Sequence, residues 1–251
     1  LLLPLTDTPF TGFAIAFAVF AGFAVLAMRG AWETATPLTQ AEPVPFRDIL
    51  RDRVTQRLLI VALLNAAPVA VSSTLFLFYV ESKLGLLGWE GALLILFFLA
   101  AAVAAPFWAR LARRFGAKPV LLVAMVLSIT AFSVTLTLGP GDLVPFALVC
   151  LASGAALGAD MTLLPAIFAA RLAKVAPGSA RAFGLWSFAT KFTLAVAAGV
   201  VLPALQFLGF EPGQDNDPQA LAALAALYAL LPIALKCVAL AVFAATPIKE
   251  T

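Results

Sequence analysis

Not one histidine occurs in the 251 residues. That absence removes His-based zinc sites and the Ser-His and Cys-His pairs of nucleophilic catalysis. Cysteine is nearly as scarce. Cys150 and Cys237 stand far apart in apolar runs, neither within a CxxC, and read as inert. Charged residues make up 12% of the chain, where an ordinary soluble domain has about 25%. One soluble core would need far more polar surface than that. The formal net charge is only +3, and its basic residues sit in short loops, so no nucleic-acid partner is expected. The opening LLLPLTDTPF has no basic n-region and no A-x-A site, so it is not a signal peptide. It starts at Leu1 without Met and reads as a piece of a longer protein.

What is abundant is apolar: 63% of the residues are hydrophobic. A membrane span needs about 20 mainly apolar residues to cross a hydrocarbon core of about 30 Å. Seven runs qualify, near 10–28, 57–80, 88–109, 119–138, 143–171, 183–208 and 219–246. Their apolar residues are continuous, not alternating, which excludes a β-barrel. Each run is expected to be helical, because only a helix satisfies its own backbone in lipid.

Basic residues concentrate in alternate connections. Arg29, Arg47, Arg51, Arg53 and Arg57 follow the first run; Arg110, Arg113, Arg114 and Lys118 follow the third; Arg171, Lys174 and Arg181 follow the fifth; Lys249 follows the seventh. The remaining connections hold Glu81, Lys83 and Glu90, then Asp142, then Glu211, Asp215 and Asp217. By the positive-inside rule the odd-numbered spans end in the cytoplasm. Residues 29–56 form the longest connection, with Pro37, Pro43 and Pro45, and read as a cytoplasmic linker. The expected layout is one span (1–28), a linker (29–56) and a six-helix bundle (57–251). That suits the second half of a twelve-span transporter, built as two inverted triplets. The first span is then the last helix of a missing N-terminal half.

Polar groups inside the spans carry the functional signal. A Lys at mid-bilayer costs about 2.5–3.5 kcal/mol on insertion scales. Lys191 stands ten residues after Arg181, about 15 Å deep at 1.5 Å per residue. Asp160 stands eleven residues before Arg171, about 16 Å deep by the same rise. The two are level on consecutive spans. They read either as an ion pair holding two helices together or as a charge pair lining a polar cavity. Lys236 also reads as deep, with no acidic partner in its own span. Asn65, Ser72 and Tyr79 recur at heptad spacing and fall on one helix face, flanked by Ser73 and Thr74. Such a stripe serves interhelical hydrogen bonds or recognition of hydroxyl groups. Trp186 reads as an interfacial anchor, and Gly154-Ala-Ala-Leu-Gly158 as a GxxxG for close helix packing. The segment 107–119, FWARLARRFGAKP, is a short basic turn with Gly116.

The runs LLNAAPVAVSSTLFLFYVESKLG (63–85), FFLAAAVAAPFWARLARRFG (97–116) and LLPAIFAARLAKVAPGSARAFGLWSFATK (163–191) together resemble a known family. It is the glycoside–pentoside–hexuronide cation symporters, the melibiose permease-like branch of the major facilitator superfamily. In that family the tenth helix often ends P-x-M-L-A-D, a T-G-x-R-x-x-G turn follows, and the eleventh helix carries a Lys. Pro165, Arg181, Gly184 and Lys191 fit those places. Ala170 replaces the usual Asp, Ile167 the usual Met, and Pro177-Gly178 the usual TG.

The resemblance implies an all-α membrane transporter moving a small polar solute, a sugar or glycoside first, by alternating access with a cation. Lys191, Asp160, Asn65, Ser72 and Tyr79 are the expected solute and coupling region. Arg110, Arg113, Arg114, Gly116 and Arg181 are the expected cytoplasmic gating loop. No cofactor or metal is expected; a coupling cation, sodium or proton, would bind in the missing half. The partners are the solute, the bilayer and that half. The implied location is a bacterial inner membrane, with the linker and C-terminus cytoplasmic. A non-transporting scaffold or sensor on the same fold is the alternative. A membrane enzyme has the least support, for want of His, metal cluster or paired carboxylates.

Overall fold

The computed structural model describes residues 9–32, 51–175 and 180–248. Among these all regular structure is helical, in seven long helices. They are α1 (Pro9–Trp32), α2 (Arg53–Phe78), α3 (Glu90–Phe115), α4 (Ala117–Val134), α5 (Leu143–Val175), α6 (Ala180–Phe207) and α7 (Pro218–Ala244). A π-helical turn over Tyr79–Lys83 extends α2, and a 3₁₀ turn over Thr135–Thr137 extends α4. The helices fall on the apolar runs expected from hydropathy. Six of them, α2 to α7, are long and apolar enough to cross a membrane. The described apolar stretch of α1, Ala14–Arg29, is shorter. Helix α1 belongs to one compact unit, residues 1–42, and the other six to a second, residues 43–251. The expected linker prolines, the turn at 177–178, Lys249 and the side chain of Arg181 lie outside the described residues.

Local chemistry sets several helix ends. The Asp52 carboxylate accepts from the Thr55 backbone N–H at 2.9 Å and so caps α2. Asp217 caps α7 in the same way through Ala220, and Pro218 opens that helix, where its missing N–H is no loss. Between α3 and α4 the connection is one residue. Gly116 has φ +90°, a backbone that side-chain-bearing residues rarely adopt. Arg110, Arg113 and Arg114 therefore stand on the last turns of α3, not in a loop.

The six helices of the second unit interleave. Helix α3 packs on α5, and α6 packs on α2; α4 packs on α5, and α7 packs on α2; α4 also meets α7. Exchanging α2, α3, α4 with α5, α6, α7 maps this list onto itself. That is the packing expected of two pseudo-symmetric triplets. The closest approach is between α3 and α5. A Cβ on Gly154 would meet the Phe97 carbonyl oxygen at 2.3 Å, and one on Gly158 the Ala101 carbonyl oxygen at 2.4 Å. The GxxxG thus lets two backbones touch. Nearby, the Trp108 indole N–H donates to the Ala155 carbonyl at 2.7 Å.

The bundle has two apolar clusters. One gathers Tyr79, Phe146, Phe210 and Tyr228. The other gathers Leu58, Leu121, Phe168 and Phe243. Along α2 and α7, a single polar residue stands between the segments that enter the two clusters: Asn65 on α2 and Lys236 on α7.

Candidate functional site

Between the two apolar clusters lies a buried polar group contributed by three helices. Lys236 of α7 donates to Asp160 Oδ2 of α5 at 2.5 Å and to Asn65 Oδ1 of α2 at 2.7 Å. The three residues are 2%, 8% and 5% exposed for Lys236, Asp160 and Asn65. Burying a carboxylate and an ammonium together is tolerable only when they pair and their remaining groups find partners. Lys236 meets that condition through two acceptors. Asp160 does so at one oxygen only: its Oδ1 is buried and has no hydrogen-bond partner among the described residues.

Asp160 and Asn65 also border a cavity of about 350 Å³ that opens between α5 and α6 against α2. Lys191, Trp186, Thr190 and Pro165 line the same cavity. Its other walls are aliphatic. The volume lies at the low end of ligand pockets, which run from about 300 to 1,000 Å³. Trp186, read as an interfacial anchor from the sequence, has inward contacts. It packs on Phe168, ring centroids 4.8 Å apart, and borders the cavity.

The expected pairing of Lys191 with Asp160 is replaced by another. Both line the cavity, but Asp160 is ion-paired to Lys236, the lysine for which the sequence offered no partner. The reason is packing. Helices α5 and α6 are consecutive yet are not a principal packed pair; α6 lies on α2 instead. Depth put the charges at one level without saying which helix sides meet.

The polar stripe on α2 also divides. Asn65 reaches the site. Ser72 returns its hydroxyl to the Val69 carbonyl at 3.2 Å and is not on the cavity wall. Tyr79 is fully buried in the other apolar cluster. Its hydroxyl donates to the Thr135 carbonyl at 2.6 Å and its ring stacks on Tyr228, centroids 4.1 Å apart. Tyr79 is a core residue and is not on the cavity wall. The stripe crosses Pro68, which lacks the N–H of the helical ladder, and ends in the π turn that starts at Tyr79.

At the basic end of the bundle a second cavity, about 940 Å³, is bordered by Arg113, Gly116, Arg171 and Lys174. Arg110 and Arg114 do not line it. Here α2 is tied to α5: Arg171 donates through Nε to Asp52 Oδ2 at 2.9 Å and through Nη2 to Asp52 Oδ1 at 2.5 Å. This two-pronged fit suits a guanidinium and a carboxylate. The Arg171 guanidinium, ahead of the Thr55 hydrogen bonds, holds the Asp52 carboxyl down at about 2, against the opposing effect of partial burial. Lys118 donates to the carbonyls of Ala244 and Thr246, and Arg57 to that of Ala245. Basic groups thus satisfy the last carbonyls of α7. Sequence reading missed the tie to Arg171. The signal was Asp52 followed three residues later by Thr55, a helix start that fixes a carboxylate at that end.

Among the described residues no group of three or more Cys, Asp or Glu side chains is placed to hold a metal ion. The cavity wall presents an ammonium, a carboxylate oxygen and an amide among apolar side chains. No curated relative matches the chain. A family profile described as MFS/sugar transport protein matches residues 4–250. With its six membrane-spanning helices in two interleaved triplets, this chain belongs to the MFS/sugar transport family and carries half of a major facilitator fold.

Proposed function

We propose that this chain is the C-terminal half, with one preceding helix, of a secondary active transporter for a small polar solute. In this reading α1 ends a first half, residues 29–56 are the linker, and 57–251 form the second bundle. The two bundles rock about a midplane site, and the cavity between α5 and α6 is this half's share of it. The observation that carries the reading is the cavity itself. Two charged residues and an amide converge on it at mid-span, where ionisable groups are costly and usually mark a pathway. Lys191 contacts the solute. Asp160 contacts it through its unpartnered oxygen. Asn65 and Lys236 hold Asp160 in place. A sugar or glycoside is the leading solute, moved with a cation whose site lies on helices of the first half. The basic connections support a reading in which the linker and the C-terminus face the cytoplasm, and the proposed location is a bacterial inner membrane.

The test is solute uptake by cells expressing the full-length protein. Lys191→Ala is expected to abolish uptake with the amount of protein in the membrane unchanged. Normal uptake by that variant would remove Lys191 from the site and favour a scaffold or sensor.

A further inference from the structure

Lys236 comes from α7, but the oxygens that hold it come from two other helices. Asp160 Oδ2 of α5 stands 2.5 Å from its ammonium and Asn65 Oδ1 of α2 stands 2.7 Å from it. Helices α2 and α5 belong to different triplets and are not a principal packed pair. The positive charge between them is what joins these two side chains. Without it, two oxygens would face one point inside the bundle with a net charge of −1 and no partner for that charge. A buried carboxylate does not tolerate that state.

We infer that Asp160 and Asn65 form a site for a small monovalent cation, and that the chain fills this site with its own Lys236. The charge sets the class of ligand: one carboxylate and one amide oxygen balance a single positive charge. Divalent ions are a poor fit, since calcium takes about six to eight oxygen ligands and two converge here. A route to the site exists as well. Asp160 and Asn65 both border the cavity of about 350 Å³, and Lys236 does not. A small cation in that cavity therefore reaches the two oxygen-bearing residues without crossing either apolar cluster. It also meets Asp160 Oδ1, which is buried and has no hydrogen-bond partner among the described residues. The other charged side chain on that wall, Lys191, is exposed on α6. A tethered cation does not leave. Asp160 thus keeps one oxygen engaged, and offers the other to the cavity, whatever salts surround the protein.

The experiment is thermal unfolding of the full-length protein in detergent, for wild type and Lys236→Ala. The salts are choline, ammonium and n-propylammonium chloride at equal ionic strength. The n-propylammonium ion replaces the atoms that the substitution removes. In choline, Lys236→Ala is expected to melt below wild type. Ammonium or n-propylammonium is expected to raise its melting temperature saturably, by about 2–4 °C beyond any rise of wild type in the same salt. Asp160→Asn combined with Lys236→Ala, which removes the negative charge, is expected to lose that gain. No gain in Lys236→Ala overturns the inference. So does a gain that persists without the Asp160 charge. So does a Lys236→Ala protein that melts with wild type in choline, because Lys191 or a proton then serves Asp160 equally well. Where Lys236→Ala gives too little monodisperse protein to melt, its yield on solubilisation in n-propylammonium is compared with that in choline. A higher yield in n-propylammonium supports the inference, and equal yields overturn it. Each of these outcomes leaves the transport reading standing, since uptake tests that separately.

Discussion

Among the described residues Lys236 is the most enclosed charge in the bundle and the one whose role is read only from the folded chain. Its depth was legible from its distance to Lys249, but its partner was not. Depth along a helix follows from the rise per residue, whereas partnership depends on which sides of which helices meet. The ammonium crosses from α7 to Asp160 on α5, a helix that α7 does not principally pack against. Removing one member of a buried pair leaves the other uncompensated, which costs about 3–5 kcal/mol. Lys236→Met is therefore expected to lower the stability of the detergent-solubilised protein by about that amount. The pair Asp160→Leu with Lys236→Met should recover most of the loss, since apolar replacement of a whole pair is often neutral. A single Lys236→Met variant that melts with wild type would show that Asp160 does not depend on it. Tyr79 teaches the converse. Its residue type suited a solute site, but its ring and hydroxyl are both consumed by the core.

At the level of elements, hydropathy located the spans to within a few residues, because the bilayer imposes a length that composition must meet. The small-residue motif on α5 was equally legible. Glycine four residues from glycine says where backbones can touch, and Gly154 and Gly158 do touch α3. What the spans could not disclose is their order in space. Consecutive helices are adjacent more often than not, and that prior misassigned α6 to α5. Gly158→Ala forces a Cβ to within 2.4 Å of a main-chain oxygen. It is expected to destabilise the bundle by about 1–3 kcal/mol, the usual cost of overpacking. Gly199→Ala on α6, where nothing lies within 4 Å, is the control. It should be neutral or slightly stabilising, since alanine is the better helix former. Thermal melts of both variants in detergent decide the matter, and equal melting temperatures would contradict the close α3–α5 contact.

For the whole molecule, membrane and bundle divide the apolar residues between them. Large side chains such as Phe98, Leu99 and Val103 of α3 are exposed on the chain while Gly154 and Gly158 hold the other side of that helix close. Interleaving means that neither triplet closes a core alone. α2 finds its main neighbours in α6 and α7, and α5 finds its own in α3 and α4. A chain stopped after Asp217 lacks α7, so Asp160 and Asn65 lose Lys236 and α2 loses one of its main neighbours. Such a chain is expected to be degraded faster than the complete one in a pulse-chase experiment. Equal lifetimes would mean that the first five helices of the second unit assemble without the last.

The position of Lys236 on α7, two helices after Asp160, also has a meaning in time. During synthesis Asp160 enters the membrane two helices ahead of the ammonium that neutralises it. Until α7 emerges, the aspartate must remain protonated, hydrated or held by another group, and the bundle is electrostatically open. The arrival of α7 therefore closes the circuit, so that the pairing of Lys236 with Asp160 marks a late step in the assembly of these six helices.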